Sequence, residues 1–481
     1  MGQRLKVAYL HYHLKPSGVT TVIQHQASAV EGRCRTLLVA CRPPQDLQTV
    51  PFQAAPLIAY DRETHQPFTA QELATQVETA IKRQWPSGCD VLHVHNPTLA
   101  KNKLLPKALE ILRNRGMCMF LQIHDFAEDG RPDAYPGEAG YTRDVHYGVI
   151  NSRDYEILIK AGLTSEGLHL IPNKIHPFHS SHNSHSHNSH SHNSHIIIYP
   201  VRAIRRKNIG EVFLLSLFLK DSQRVGITLP PNSPNDQTAY LRWKEFLQQH
   251  PFNVRLEVGL HNDFRQLIAD APFMITTSIN EGFGFTFMEP WTAGKMVLGR
   301  YLPHVCRDFQ QSGVKLEHLY QRLNIPLDMI DGNTVEKTFY QRWRDTFLHH
   351  AGSFGLQPEP SIVEDAYQTM TKDKTIDFGV LDESAQMRVL LNLFGNQKNK
   401  EEIFYLNPGL QSLNTPPDPA LIAHNDQVVR RAYGNEIYRD RLIAIYETVA
   451  GRQVRQCIDS RSILESFLKP ERFKMLQWKE R

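Results

Sequence analysis

Short apolar runs alternate with amphipathic segments over the N-terminal part of the chain. The runs are rich in β-branched residues and have the length of buried strands, whereas the segments between them carry apolar residues at helical spacing. This pattern predicts a parallel sheet with helices on both faces. The predicted strands are Leu5–Tyr12, Thr36–Ala40, Asp90–His95, Met117–His124, Tyr147–Asn151 and Leu168–Pro172, and the predicted helices are Val19–Val30, Ala70–Gln84 and Leu99–Arg115.

The same alternation begins again at Ile196. Two successive α/β patterns predict two Rossmann-like domains that face each other across an interdomain cleft, and in such open sheets ligands bind at the carboxyl ends of the strands. The second set of strands is predicted at Ile196–Tyr199, Val225–Leu229, Val254–Val258, Phe273–Thr277 and Met296–Gly299, with helices at Asn208–Leu219, Thr238–Gln249, Asn262–Ala269 and Phe285–Ala293.

The pattern also predicts domain boundaries. An N-terminal Rossmann-like domain spans 1–178, and a second one spans 196–449 with a helix at Gln427–Val449. The second domain contains an irregular elaboration at about 306–423, in which helices fit at Asn333–His349 and Ser384–Phe394. A helical tail follows at 450–481.

Residues 179–195 are a near-perfect repeat of serine, histidine and asparagine that contains seven histidines. Histidine-rich tracts can bind metals, but polar low-complexity segments resist ordering. We therefore favour a flexible loop between the domains over a metal-binding tract, and we expect no metal site in the chain.

Composition narrows the class of protein. A hydrophobic content of 41% and a charged content of 22% are ordinary for a soluble globular protein. The net charge of +4 comes without a concentrated basic block, so nucleic acid is not an expected partner. The N-terminus shows no signal-peptide pattern, and the six cysteines are scattered without a Cys-x-x-Cys pair. We expect reduced core thiols in a cytoplasmic protein, with disulfides as the less favoured alternative.

The segment TSINEGFGFTFME places two carboxylates, Glu281 and Glu289, around a glycine-broken apolar stretch. Gly282 and Gly284 let a bound group approach the backbone, and the helix predicted from Phe285 would direct free N–H groups at an anion. The carboxylates would repel an anion, but they accept hydrogen bonds from hydroxyl groups. A ligand with both phosphate and hydroxyl groups, such as a nucleotide sugar, satisfies both kinds of residue.

Cations follow the first strand of the second α/β pattern. Arg202 and Lys207 lie just after it, where they could neutralise a phosphate leaving group in a low-dielectric cleft. Arg205 and Arg206 stand between them and are interpreted as a solvated basic face.

Four local patterns together resemble the retaining glycosyltransferases of family four, which have the GT-B fold of two Rossmann-like domains. The patterns are Glu281-Gly-Phe-Gly-Phe with Glu289 eight positions after Glu281, Arg202 with Lys207 five positions later, His124-Asp125 at a strand end, and Ile171-Pro-Asn173 where the second domain begins. Tyr433-Gly-Asn and Leu442–Tyr446 are also similar to the family's closing helix. The resemblance covers about residues 5–300 and 427–449.

The resemblance implies a retaining, metal-independent hexosyltransferase that uses a nucleoside-diphosphate sugar as donor and needs no cofactor. In this family the acceptor attacks the face that the leaving phosphate vacates, so catalysis is mostly positioning and charge stabilisation. The first loop departs from the family, which often has two adjacent glycines there, because Pro16-Ser17-Gly18-Val19 has one. The implied donor contacts are Arg202 and Lys207 at the diphosphate, Glu289 at the ribose, Glu281 with Gly282, Phe283, Gly284 and Phe285 at the sugar, His124 near its C6 position, and the Gly18 amide at the phosphates.

The N-terminal domain is predicted to bind the acceptor, which is sugar-like or a small anion. Arg131 is the candidate for a phosphate or carboxylate, and His95 is a second acceptor contact. The cationic helix Leu99–Arg115 allows a peripheral membrane contact, but a solvated amphipathic helix is favoured. Sugar hydroxyls have three candidate partners, for which a polar surface turn is the alternative: Glu128, Asp129 and Asp133.

The sequence leaves the donor base (uracil, guanine or adenine), the donor sugar, the acceptor and the oligomeric state open. A nucleotide-sugar epimerase or a phosphorylase on the same fold is an alternative enzyme. A non-catalytic nucleotide-sugar-binding protein is the alternative outside enzymes.

Overall fold

A computed structural model describes residues 4–43, 50–63, 67–178, 195–330 and 338–478 of the chain. Most of the histidine-rich tract, residues 179–194, lies outside the described residues. The strands are β1 (Lys6–Leu10), β2 (Arg35–Ala40), β3 (Phe52–Ala54), β4 (Val91–His95), β5 (Met119–Ile123), β6 (His146–Val149), β7 (Leu168–Leu170), β8 (Ile196–Arg202), β9 (Arg224–Leu229), β10 (Val254–Arg255), β11 (Met274–Thr276), β12 (Val297–Gly299), β13 (Asn324–Pro326) and β14 (Thr375–Asp377). The α-helices are α1 (Gly18–Ala29), α2 (Ala70–Gln84), α3 (Leu105–Asn114), α4 (Ser152–Lys160), α5 (Ile209–Ser216), α6 (Pro234–Gln249), α7 (Val258–His261), α8 (Phe264–Asp270), α9 (Glu289–Thr292), α10 (Pro303–Gln311), α11 (Phe339–Ser353), α12 (Pro360–Thr371), α13 (Glu383–Leu393), α14 (Gln397–Leu406), α15 (Pro419–Tyr433), α16 (Asn435–Gly451) and α17 (Ser460–Phe467).

The first unit is built on a seven-stranded parallel sheet in the order β3-β2-β1-β4-β5-β6-β7. Successive side chains of a strand point to opposite faces, so Ala8 and Leu10 of β1 join a core with α2, α3 and α4. Val7 and Tyr9 join a second core with α1 and α16. The sheet is therefore covered by helices on both faces, as the uninterrupted apolar runs predict.

The chain divides into two compact units in a way that differs from the predicted boundaries. The first unit comprises 1–174 and 433–468, and the second comprises 175–432 and 469–481. The chain order predicts that the segment of α16 belongs to the second domain. In the structure, Tyr438, Leu442 and Tyr446 of α16 pack on the first sheet, because that face would otherwise expose apolar side chains to water.

The second unit is built on a five-stranded parallel sheet in the order β10-β9-β8-β11-β12. The elaboration after β12 adds helices and a small antiparallel pair, β13 with β14. Both large sheets reverse their strand order next to their first strand, between β1 and β4 and between β8 and β11. Chains that leave such neighbouring strands in opposite directions open a crevice at the carboxyl ends.

A buried ionic cluster joins the elaboration to the second sheet. Arg300, which follows β12, lies 2.5 Å from Glu211 of α5 and 2.8 Å from Asp377 of β14, and its side chain is 1% exposed. The Tyr320 hydroxyl donates to Glu211 at 2.7 Å. These hydrogen bonds fix the elaboration against the core that carries β8 and β11.

Several predicted elements differ in the structure for local reasons. The helix predicted from Leu99 begins only at Leu105, with Pro106 in its first turn, where proline is tolerated. The helix predicted over Gln427–Val449 is two helices, because Gly434 adopts an extended conformation between α15 and α16. The strand predicted over Val254–Val258 ends at Arg255, since Val258 opens α7. By contrast, Ala70–Gln84 is helical as predicted, and Thr69 with Glu72 forms a capping box there.

Three predictions from composition concern membrane spans, cysteines and the cationic helix. Within the described residues, no helix combines the length and the hydropathy needed to cross a bilayer. All six cysteines are free, but Cys457 is exposed and not a core thiol as expected. On α3, Leu109 packs in the core and Lys107 forms an ion pair with Glu110, as in a solvated amphipathic helix.

Candidate functional site

In the second unit, three consecutive cations follow β8 in a single 3-10 turn, Arg205–Lys207, and point to different partners. Arg205 pairs with Glu383 at 2.6 and 2.8 Å and donates to the carbonyl of Trp478. Lys207 forms an ion pair with Glu281. Arg205 therefore fixes the turn, while Lys207 contacts the loop after β11. We call the carboxyl ends of β8 and β11, where the strand order reverses, the second switch point.

Hydrogen bonds to backbone carbonyls connect this turn to β8 and to the loop after β11. The hydroxyl groups of Tyr199 and Thr277 each donate to the carbonyl oxygen of Lys207 at 2.9 Å. The Ile279 amide donates to the Arg206 carbonyl at 3.0 Å. These bonds bring Lys207 and Glu281 together although 74 positions separate them in the sequence.

Arg206 lies beside Glu281, whereas Arg202 is exposed. The Arg206 guanidinium donates to the Asn280 carbonyl at 2.9 Å and lies 3.2 Å from Glu281. Arg202 is exposed, and its guanidinium lies 3.4 Å from the Pro230 carbonyl. The interpretation of Arg205 and Arg206 as a solvated basic face is therefore wrong, because Arg205 is buried against Glu383 and Arg206 contacts Glu281. A tight turn directs adjacent side chains in different directions, and sequence spacing does not reveal which of them finds a partner.

The charges around Glu281 leave an excess of positive charge. Burial raises the pKa of Glu281, but the charges of Lys207 and Arg206 outweigh burial and hold that pKa well below its ordinary value. Glu281 is thus ionised and balances one of two cations. The remaining positive charge suits a bound anion.

Glu289 differs from Glu281 in having no ionic partner. It is partly buried, and its carboxyl group has no hydrogen bond or ion pair within the described parts of the chain. Burial raises the pKa of Glu289 to about 7. A partly buried carboxyl group without a partner is ready to accept hydrogen bonds from ligand hydroxyl groups.

The glycine-broken segment between the two glutamates is tightly packed. Gly284 has φ of +86°, and a Cβ atom there would lie 2.7 Å from Cγ1 of Val305, so a side chain is excluded. Phe283 is buried and packs on Phe285, with ring centroids 5.0 Å apart. The predicted helix over Phe285–Ala293 is instead a 3-10 turn, Phe285–Phe287, followed by the four-residue α9. A helix dipole therefore adds little here.

In the first unit, the corresponding switch point gathers His95, Asn96 and His124. Nδ1 of His95 lies 2.9 Å from Nε2 of His124, and the two ring planes are nearly parallel, with an interplanar angle of 9°. The Asn96 side chain accepts hydrogen bonds from the amides of His124 and Asp125 at 2.7 and 3.2 Å. Burial lowers the pKa of His124 to about 4, so its imidazole is neutral at pH 7.

His95 lies behind His124 and not on the surface. It is 0% exposed, and Nε2 of His95 has no hydrogen-bond partner in the described structure. His93 stacks on it at 4.2 Å and is fixed by Tyr446 and Gln122 at 2.9 and 3.0 Å. The structure therefore gives His95 contact with His124, whereas the direct acceptor contact remains a prediction without support from this geometry.

The remaining predicted residues of the first unit have distinct surroundings. Gly18 opens α1, and Ser17 caps that helix by accepting from the Thr20 amide at 3.2 Å. Arg131 pairs with Asp125 at 2.8 Å and is partly exposed.

The three candidates for sugar hydroxyls also differ from one another. Glu128 is 0% exposed and accepts from the Tyr141 hydroxyl at 2.9 Å, which removes it as a surface contact. Asp129 lies 3.5 Å from Arg153, and Asp133 is exposed. Across the described residues, no group of three or more histidine, cysteine, aspartate or glutamate side chains is arranged to hold a metal ion.

Comparison with known proteins places this geometry in context. No family model matches the chain. It is 22% identical over 518 residues to the mannosylglucosyl-3-phosphoglycerate synthase of Petrotoga mobilis, covering 97% of this chain and 98% of that protein. The structure is similar to that of Anabaena HepE in complex with UDP, with a TM-score of 0.51, 12% identity and coverage of 92% of this chain and 100% of HepE. For HepE in complex with UDP and glucose, the TM-score is 0.50 at 11% identity, with the same coverage.

These similarities agree with the two sheets described above. Each unit is a Rossmann-like α/β layer structure with a parallel sheet, and the solved structures that the chain matches are GT-B glycosyltransferases. The chain thus has the GT-B fold that the sequence analysis predicts.

Proposed function

We propose that this protein is a retaining glycosyltransferase that moves a hexose from a nucleoside-diphosphate sugar to a sugar-like acceptor that carries an anionic group. The observation that carries the proposal is the contrast between Glu281 and Glu289 at the second switch point. One carboxylate is held between cations, and the other is partly buried without a partner. A nucleotide sugar offers the matching groups, a diphosphate for the cations and ribose hydroxyls for Glu289.

The second unit supplies the charge stabilisation in this proposal. As the bond between the sugar C1 and the diphosphate oxygen breaks, negative charge grows on that oxygen, and Lys207 and Arg206 stabilise it. Arg202, which is exposed, joins them at the diphosphate in this proposal. The acceptor hydroxyl forms the new bond on the same face of the sugar, and its proton passes to the departing phosphate. The reaction needs no metal or cofactor in this proposal.

The similarity to the Petrotoga mobilis synthase, whose name specifies a glycosylated 3-phosphoglycerate, supports this choice of acceptor. That compound combines a sugar with phosphate and carboxylate groups. A glucosylated 3-phosphoglycerate is therefore the first acceptor to test. Its dephosphorylated form, which keeps the carboxylate but has no phosphate group, is the comparison.

The test is a donor and acceptor screen. We expect UDP-, GDP- or ADP-hexose to release its nucleoside diphosphate only when the acceptor is present, apart from slow hydrolysis, and NMR of the product should show that the anomeric configuration is retained. An inverted product would refute the retaining mechanism.

The same screen separates the rival functions. Interconversion of the donor sugar without an acceptor would indicate an epimerase, and turnover that requires inorganic phosphate would indicate a phosphorylase. Calorimetric binding of a nucleotide sugar without turnover for any acceptor would indicate a binding protein.

A further inference from the structure

Two cations from separate loops of the first unit share one aromatic ring. The guanidinium carbon of Arg62 lies 5.3 Å from the centroid of the Tyr60 ring, and Nζ of Lys101 lies 6.0 Å from it. The electron-rich face of an aromatic ring attracts cations, but two cations on one ring also repel each other. Their proximity therefore costs free energy unless an anion joins them.

Hydrogen bonds join the loop that carries Arg62 to the loop that carries Lys101. The Asp61 amide donates to the Lys101 carbonyl at 2.8 Å. Asn102, which is 0% exposed, donates to the carbonyls of Leu57 and Ala59 at 2.8 and 2.9 Å. The two loops that carry Arg62 and Lys101 thus form one continuous surface beside the carboxyl ends of β1 and β4.

Neighbouring carboxylates neutralise other cations of this surface but not these two. Lys15 pairs with Glu63 at 3.4 Å, and Arg131 pairs with Asp125 at 2.8 Å. Within the described chain, Arg62 and Lys101 make neither an ion pair nor a side-chain hydrogen bond. Burial, followed by the charges of Arg131 and Arg62, lowers the pKa of Lys101, and the carboxylates of Asp133 and Asp125 offset only part of this effect.

A buried polar atom without a partner belongs to the same loop. Thr98 is 2% exposed, and its hydroxyl oxygen has no hydrogen-bond partner among the described residues. Unpaired buried hydroxyl groups are uncommon and often mark a place that a ligand or water fills. The loop from Asn96 to Lys101 therefore offers a hydroxyl group as well as a cation.

We propose that Arg62 and Lys101, with Arg131 beside them, form the binding site for the phosphate or carboxylate group of the acceptor. This inference rests on the proposed function, because it names the group that the acceptor presents to the first unit. Guanidinium and ammonium groups bind such anions by charge-assisted hydrogen bonds. Tyr60 orients both cations, so the site recognises an anion and not a neutral sugar.

The experiment measures binding of 3-phosphoglycerate to the full-length chain by isothermal titration calorimetry. Arg62→Gln and Lys101→Gln should each weaken binding about tenfold, since each removes one charged contact at a partly exposed site. Lys103→Gln is the matched control. Lys103 is exposed on the same loop, and the structure records no contact of its side chain with Tyr60, so its loss should change affinity less than twofold.

Lys207→Ala tests the competing location of the anion in the second unit and should leave 3-phosphoglycerate binding unchanged. Loss of binding in Lys207→Ala but not in Arg62→Gln would overturn the inference. Equal weakening in Arg62→Gln, Lys101→Gln and Lys103→Gln would reduce the site to general surface charge, and absence of binding to the unaltered protein would also refute it.

The proposed function fails by a different readout. If 3-phosphoglycerate binds as expected but no nucleotide sugar is consumed with any acceptor, the anion site stands and the transferase proposal does not. If transfer proceeds and Arg62→Gln leaves the acceptor KM unchanged, the transferase stands and the anion site does not.

Discussion

Nδ1 of His95 lies 2.9 Å from Nε2 of His124, and this contact determines which nitrogen of His124 carries a proton. Burial lowers the pKa of both rings, so each is neutral and has one N–H group. Nε2 of His95 is buried without a partner, and orphaned N–H groups are rarer than unpaired acceptors. The His95 proton is therefore on Nδ1 and is donated to His124, which leaves the His124 proton on Nδ1 of that ring.

The first prediction follows from this tautomer. His95→Asn keeps an N–H group near the position of Nδ1 and should hold kcat within about threefold, whereas His95→Leu frees the His124 tautomer and should lower kcat about tenfold. Steady-state kinetics with melting curves for both variants check this. Equal losses of kcat in two equally stable variants would contradict the tautomer argument.

The second prediction concerns the ion pair of Lys207 with Glu281. Lys207→Ala and Glu281→Ala should each lower turnover about a hundredfold or more, because each removes a group that stabilises charge in the cleavage step. Lys244→Ala, in the partly exposed pair with Glu257, is the matched control and should retain turnover near that of the unaltered protein. Near-normal rates in either active-site variant would rule out this location for the chemistry.

The third prediction is a pH dependence caused by Glu289. Burial raises the pKa of Glu289 to about 7, so the carboxylate that accepts ribose hydroxyls is lost as the pH falls below 7. Between pH 8 and pH 6 the affinity for UDP should fall about tenfold. The terminal phosphate of UDP also titrates near pH 6, so the same titration of Glu289→Gln provides the reference. The extra loss should be absent in that variant, and parallel curves would refute a role for Glu289.

The fourth prediction concerns stability and depends on Arg300. Arg300→Leu leaves Glu211 and Asp377 as buried carboxylates without their cation and should cost about 3–5 kcal/mol of unfolding free energy. Tryptophan fluorescence during urea unfolding reports mainly on the second unit, because four of the five tryptophans lie there: Trp243, Trp291, Trp343 and Trp478. Arg344→Leu, which disrupts a surface pair with Asp345, should leave the midpoint of unfolding close to that of the unaltered protein. Similar midpoints for both variants would show that the cluster contributes little.

Most strands are predictable from the sequence, because a buried parallel strand requires a continuous apolar run. The location of the candidate site residues is predictable as well, because ligands of open α/β sheets bind at the carboxyl ends of the strands. The order of the strands and the proximity of Lys207 to Glu281 then follow from the doubly wound topology. Helix boundaries at Pro106 and Gly434 are less predictable, since apolar spacing continues across both breaks.

Other features depend on contacts between distant segments and have no local signal. The inward orientation of Arg206 is visible only once the Asn280 carbonyl is placed beside it. The position of α16 depends on an uncovered face of the first sheet, and not on its neighbours in the chain. The shared ring of Arg62 and Lys101 likewise appears only when two loops are hydrogen-bonded to each other.

Arg205 sets a limit on how small a working version of the second unit can be. Its guanidinium donates hydrogen bonds to Glu383 of the elaboration and to the carbonyl of Trp478. A fragment trimmed to the five-stranded core would keep Arg206 and Lys207 but lose the clamp that orients their turn. Any minimal donor-binding module cut from this protein must therefore retain segments that, in the linear chain, look dispensable.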